Sequence, residues 1–385
     1  MTADRTLGQA AWEHVRALAL GIGPRPAGSP AEQRAFDYAA GQLSRWGYIP
    51  ERLPVRFAPP PRFFALYGLG GLALALGGWC LPAYPAAALA LPLVIIALPQ
   101  LARWLILLRP CTAASQNLVA FAPSAPDAAT LILCAHLDSA RASFFRQPAL
   151  LWLQGQTLFV ALRIAIALAA LALLELLGFP LPLVLAWGVA GLGSLVGAWW
   201  ILTELLNQLA WHGTYSPGAH DNASGAGVVL ALAEHFSHAS PRRVRLGFLF
   251  TGAEETGMHG ARAFAAGLKA GSRTRVLNFD MVGAGEALRF ASGDGTLRPR
   301  RADARLNAVL QAAQPSARPL WYTLRSGDFL PFLQRGVGAA SLQTSGSGRA
   351  EAAYHTVHDT LDVIELKALE MTALAARQVV ERLND

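Results

Sequence analysis

The stretch VRLGFLFTGAEETG, residues 244–257, runs from a mostly apolar segment straight into two adjacent glutamates. A short apolar run of this kind reads as a buried strand. A strand that stops just before Glu254 and Glu255 delivers both carboxylates to one end of a sheet. Three other runs follow the same pattern. TLILCA (130–135) leads into His136 and Asp138, TRVLNFD (274–280) closes on Asp280, and GVGAASL (336–342) is followed by YHTVHDT with His355. Between the strands lie stretches with helical spacing: PAEQRAFDYAAGQLSRWG (30–47), SGAGVVLALAEHF (224–236) and ELKALEMTALAARQVVERL (365–383). GAHDNASG places Asp221 just ahead of the second of these. The alternation predicts an α/β fold, a mixed but mostly parallel central sheet with helices on both faces. Ligands of such sheets gather at the carboxyl ends of the strands, where these polar residues fall.

The chain is more apolar than an ordinary soluble enzyme, with 53% hydrophobic and 15% charged residues. The excess is concentrated. Phe63 to Ala102 holds 40 residues without a charge, and a second apolar region runs from about Leu150 to Leu206. A bilayer core needs roughly 20 apolar residues per helix, so each region reads as a hairpin of two spans, with LPAYP and GFPLP as the turns. Arg163 and Glu175 are the charges within the first helix of the second region, and Trp79, Trp104, Trp152, Trp199 and Trp200 lie towards segment ends, as interfacial aromatics do. The expected division is a discontinuous catalytic domain (1–62, 109–146 and 207–385) carrying hairpins at 63–108 and 147–206. Four spans make the chain an integral membrane protein, expected in a bacterial inner membrane with the lipid bilayer as a partner. The hairpin tips lack Lys and Arg, whereas Arg62, Arg103, Arg109, Arg141 and Arg146 flank the bases, so the positive-inside rule puts the polar domain in the cytoplasm. MTADRTLGQAAWEHVRALAL is too polar and charged for a secretory signal.

The net charge of +7 is carried almost wholly by arginine, without a basic block interleaved with aromatics, so nucleic acid is not an expected partner. Cys80, Cys111 and Cys134 are scattered, with neither a CxxC pair nor a disulfide framework. No serine sits in a GxSxG elbow, which disfavours nucleophilic serine catalysis. Nothing in the sequence sets an oligomeric state.

His136, Asp221, Glu255, Asp280 and His355 are nitrogen and oxygen donors of the kind zinc accepts. Five are too many for one catalytic zinc with its usual three protein ligands. They suit two ions about 3.5–4 Å apart with one bridging carboxylate. A carboxylate kept off the metals must then take a proton from the attacking water, and Glu254 stands beside the ligands. Asp138, two residues past His136, is placed to orient that imidazole.

These residues resemble the two-zinc metallo-aminopeptidases of the bacterial leucyl aminopeptidase and aminopeptidase Y type. The resemblance rests on IGPRPAGSPAEQRAFDYAAGQLSRWGY, AHLDS, GAHDNASGAG, TGAEETGMHGA, NFDMVG and YHTVHDT, in the family's order. It implies that His136 and Asp280 bind one zinc, Glu255 and His355 the other, with Asp221 bridging and Glu254 as general base. It also implies that Tyr354 steadies the oxyanion of the tetrahedral intermediate. The chain departs from the pattern at His220, where relatives often carry an acid, and at Gly327-Asp328-Phe329, where a Ser-Asp-His triplet is frequent. A third departure is the 85 positions separating His136 from Asp221. The activity implied is removal of N-terminal residues from peptides. Carboxypeptidase or glutaminyl-cyclase-like chemistry on the same fold, or a non-catalytic receptor or scaffold, are the alternatives the sequence leaves open.

Overall fold

The computed structural model describes residues 5–59, 66–91, 93, 108, 110–125, 127–143, 148–211, 213–295, 298–323 and 325–385. The chain forms two compact units. One comprises Met1–Pro59, Pro110–Ala142 and Thr214–Asp385; the other comprises Pro60–Arg109 and Ser143–Gly213.

Among the described residues the first unit is built on nine strands: β1 Glu51–Phe57, β2 Ala113–Phe121, β3 Ala129–His136, β4 Val244–Thr251, β5 Thr274–Phe279, β6 Ala287–Asp294, β7 Arg300–Arg301, β8 Arg318–Tyr322 and β9 Gly338–Ser345. They join in the order β1-β2-β4-β3-β5-β9-β6-β7, with β8 beside β6. The centre, β4-β3-β5-β9, is parallel, as the four apolar runs imply. The flanks are mixed: β1, β2 and β7 run antiparallel to their neighbours, and β6 is antiparallel to β9 but parallel to β8. The register aligns the strand ends. His136 lies opposite Thr251 across β3 and β4, so the residue after each strand end opens onto the same rim.

Helices cover both faces. The helices Leu7–Arg16, Ser224–His238 and Leu366–Asn384 contribute to one core, with Val15, Val229 and Leu369 fully buried. On the other face, His259–Ala266 and Phe329–Arg335 pack with Phe329 and Phe332 against Ile132, Leu249 and Val276. Cys134 belongs to that core, where burial pushes its thiol well above its usual range. The helix at Leu7–Arg16 opens with a capping box, in which the Thr6 hydroxyl accepts from Gln9 N–H and the Gln9 side chain accepts from Thr6 N–H.

Both long insertions leave and re-enter this unit at closed points. β1 and β2 pair through Phe57 and Ala113, so the segment between them leaves from a strand pair. At the second insertion Arg141 bridges Tyr215 and Ala142 N–H donates to Thr214 O at 2.9 Å. Closed ends keep the entropic cost of an insertion to that of an ordinary loop.

Among the described residues of the second unit two helices are long and apolar enough to cross a membrane, Gln156–Leu176 and Leu183–Thr203, within the helices Pro148–Leu176 and Leu183–Trp211. The first expected hairpin differs. Its described part is a helix of 15 residues, Leu66–Cys80, and a short one, Pro85–Ala90, so it supplies no full-length span among the described residues. The expected return span falls mostly on residues 92–107 and lies largely outside the described residues, as do Arg62, Arg103, Arg109, Arg146, Trp104 and the Trp152 side chain. Leu66–Cys80 and Leu183–Trp211 approach backbone to backbone. A Cβ on Gly71 would stand 2.7 Å from the Gly197 carbonyl oxygen, the close approach that small residues permit between apolar helices. Arg163 is exposed on its helix, and Glu175 accepts Leu181 N–H at the turn. Trp200 is a packing residue rather than an interfacial one: it is 1% exposed and its indole donates to Thr157 Oγ1 at 3.1 Å.

Candidate metal centre

Five segments bring donors together at the rim. His136 is the last residue of β3 and is buried, with Nε2 3.3 Å from Asp221 Oδ1 and 3.8 Å from Asp280 Oδ1. Asp221 sits in an irregular turn before the helix Ser224–His238, and its peptide to Asn222 is cis. Its second oxygen, Oδ2, lies 3.1 Å from His355 Nε2, which is also 3.3 Å from Glu255 Oε2. Two groups of three therefore form, His136-Asp221-Asp280 and Asp221-Glu255-His355, sharing Asp221. A further group of close donors joins His136 to Glu254 and Glu255.

These spacings fit zinc. Donors about 2.0–2.1 Å from an ion at the centre of a tetrahedron stand about 3.3 Å apart, and the nitrogen–oxygen pairs run from 3.1 to 3.8 Å. Glu255 Oε1 is buried without a hydrogen-bond partner. The charge balance points the same way. Burial pushes the carboxyls of Glu254, Glu255 and Asp280 above their usual range, each raised further by neighbouring acids. Burial disfavours the charged forms of both imidazoles, yet the carboxylates overrule it, raising His136 well above its usual value and His355 to about 9. Burial would raise Asp221 too, but His136 and His355 hold it well below its usual value. Acids crowded in a buried pocket call for compensating positive charge.

The residues that hold this arrangement are themselves polar and buried. The Asp138 carboxylate accepts the N–H groups of Glu254 and Glu255, both at 3.0 Å, and so fixes the doubled acid. Its main-chain oxygen lies 3.1 Å from His136 Nδ1, nearer than its carboxylate at 3.6 Å. Both contacts suit orientation of the ring, and the anchoring of Glu254 and Glu255 is a second task that the sequence did not disclose. Asp359 accepts His220 N–H at 2.7 Å and Asp221 N–H at 3.0 Å. Asn222 donates to Phe279 O and accepts from Gly225 N–H, tying the Asp221 turn to the strand that ends beside Asp280. Arg25, fully buried, donates to the carbonyls of Leu137, Leu18, Gly23, Pro217 and Gly218, clasping the His136 and Asp221 loops together. Glu32 accepts from Gly28 N–H, Ser115 Oγ and Ala253 N–H, just ahead of Glu254.

Sequence reasoning does not single out Asp359, Arg25 or Glu32, although GPRP, PAEQ and HDT lie inside the motifs that carry the family resemblance. A charge within such a motif is the signal that could have found them. Of the histidines near the motifs, His220 accepts Gly283 N–H at Nδ1, and burial lowers its pKa to about 4. It serves the turn. His358 is exposed. Ser224 donates to His220 O and accepts Val282 N–H, a structural arrangement. The Tyr354 ring stacks on His355 at 3.9 Å between centroids, and the Arg325 guanidinium lies 4.2 Å over the same ring.

Comparison with known proteins agrees with this geometry. Residues 208–380 match Peptidase family M28, a stretch holding Asp221, Glu254, Glu255, Asp280 and His355 but not His136, which the fold brings to them. Aminopeptidase YwaD of Bacillus subtilis (strain 168) is 30% identical over 168 residues, 40% of this chain and 35% of that protein, so the chain matches about a third of its length. Among solved structures, an aminopeptidase from Aneurinibacillus sp. strain AM-1 shares the fold at a TM-score of 0.58 and 17% identity, over 98% of this chain and 94% of that one. A zinc aminopeptidase from Bacillus subtilis aligns at 0.59 and 15% identity, over 98% and 96%. The glutaminyl cyclase of Porphyromonas gingivalis aligns at 0.57 and 14% identity, over 99% of each chain. At those identities the structures speak for the fold. The sequence match, the shared fold and the ligand-bearing strand ends converge on one stretch: residues 208–380 are similar to Peptidase family M28.

Proposed function

We propose that the chain is a zinc-dependent aminopeptidase that works with two ions, with Asp221 bridging them. One observation carries the reading. The two carboxylate oxygens of Asp221 face different histidines, His136 at 3.3 Å and His355 at 3.1 Å, each with its own further acid. Bound there, zinc supplies a polarised carbonyl and a water of lowered pKa. His136 and Asp280 hold one ion, Glu255 and His355 the other. Glu254, anchored through its N–H to Asp138, takes the proton released as water attacks and returns it to the leaving amine. Asp138 keeps His136 and Glu254 in register. Tyr354, next in the chain to His355, is assigned to the oxyanion, with its ring held between His355 and Arg325.

The peptidase domain is assigned to 1–62, 109–146 and 207–385, with the inserted apolar segments as its membrane anchor. The two long helices support anchoring in a bilayer. The four-span arrangement and the cytoplasmic placement rest on apolar length and on the arginines at the hairpin bases.

The test is a substrate panel with the zinc-loaded chain: aminoacyl peptides, the same peptides N-blocked, C-terminal substrates and peptides with N-terminal glutamine. Hydrolysis of the free aminoacyl peptides alone, abolished by chelation and restored by zinc, is the expected outcome. Cyclisation of N-terminal glutamine without hydrolysis would transfer the assignment to glutaminyl-cyclase chemistry, and no turnover of any substrate would leave a binding role.

A further inference from the structure

The loop ahead of the helix Phe329–Arg335 contributes a cation beside the metal centre that has no part in the proposed proton transfer. Arg325 is exposed, and its guanidinium lies 4.2 Å over the Tyr354 ring. That ring is stacked at 3.9 Å and 24° on His355, whose Nε2 faces Asp221 and Glu255. Two groups this close to one ring centre cannot share a face, so the order is guanidinium, phenol, imidazole. A cation on an aromatic face is held in orientation while its N–H edge stays available. Among the described residues no carboxylate pairs with Arg325. Its neighbour Ser326 has a buried hydroxyl without a hydrogen-bond partner.

We propose that Arg325 is a specificity-determining residue that pairs with a carboxylate of the peptide substrate; this deepens the aminopeptidase reading and rests on it. The acids of the site, Asp221, Glu254, Glu255 and Asp280, are balanced by the two zinc ions of the proposed centre and offer no partner to a carboxylate further along the substrate. Arg325 supplies that partner as a cation over the Tyr354 ring, since a planar guanidinium binds a carboxylate through two parallel hydrogen bonds. The guanidinium stands two stacking distances from a metal-ligand ring. An extended chain advances about 3.3–3.6 Å per residue, so the partner carboxylate belongs to the first or second residue past the scissile bond. The favoured substrate class is therefore short peptides whose free C-terminus lies there, or peptides with an acidic side chain at that place.

The full-length zinc-loaded chain is assayed on leucyl-alanine as free acid, on its C-terminal amide, and on leucyl-aspartate amide. The expected result is a kcat/KM about ten- to thirtyfold higher for a carboxylate-bearing peptide than for the neutral amide, carried by KM and weakened by salt. Preference for the free acid identifies the main-chain carboxylate, and preference for leucyl-aspartate amide identifies the side chain. In Arg325→Gln the ratio falls to about one, and Arg325→Lys restores part of it. A ratio near one in the parent chain, or one unchanged in Arg325→Gln, overturns the proposal. Calorimetric binding of the same peptides to a zinc-loaded Glu254→Gln chain separates this proposal from the peptidase reading. Preferential binding of a carboxylate peptide without turnover by the parent chain would defeat the peptidase reading and keep Arg325's assignment. Equal binding would defeat Arg325's assignment alone.

Discussion

Glu254→Gln keeps its zinc and lowers peptide hydrolysis by about a thousandfold to ten thousandfold, at the upper end of what a positioned general base contributes. The substitution is nearly isosteric, and the main-chain N–H that anchors residue 254 to Asp138 is untouched. What disappears is the ability to accept a proton. Glu254 also lies close to His136 and Glu255, in the third group of potential donors. The variant therefore separates two roles. Retained zinc with lost turnover assigns Glu254 to proton transfer, whereas loss of zinc would make it a ligand. Retained turnover would remove it from the mechanism.

Asp221→Ala affects both ions at once. Of the groups His136-Asp221-Asp280 and Asp221-Glu255-His355, Asp221 is the member common to both, through Oδ1 towards His136 and Oδ2 towards His355. Its loss leaves each ion with two of its three protein donors, and hydrolysis falls to background. Zinc content should drop below one ion per chain at a concentration that saturates the parent, measured by elemental analysis beside a melting curve that confirms folding. His355→Ala is the natural comparison, since it removes a donor from one group only and should spare the other ion. Equal zinc loss in the two variants would argue against a bridging role for Asp221.

The parallel core of the sheet was legible because buried parallel strands are short apolar runs, and β3, β4, β5 and β9 each end near a polar residue with no other reason to be there. His136, Asp221, Glu254, Glu255, Asp280 and His355 were picked out on that ground, and the structure gathers their donor atoms into three overlapping groups, each within 4.8 Å. The antiparallel edge was not legible. β1 and β2 are neighbours in space but stand on either side of a long apolar insertion, so no hairpin signal survives. The helix at Leu7–Arg16 has a readable start in Thr6 and Gln9, but a capping box alone does not fix how far a helix runs. Arg25, Glu32 and Asp359 were hidden for another reason. A charged side chain reads as surface, and these find partners in main-chain groups, most of them far along the sequence. Among the apolar segments, length identified two long helices, but it could not distinguish a helix of 15 residues from a complete span.

The central claim is that one carboxylate joins two ions in a working pair. The most direct test is zinc titration of the chelator-stripped, full-length chain, with bound metal and aminoacyl-peptide hydrolysis followed in the same samples. The account predicts saturation at two zinc ions per chain, with full activity reached only as the second ion binds. Full activity at a single bound ion, with no second site filled, would contradict it.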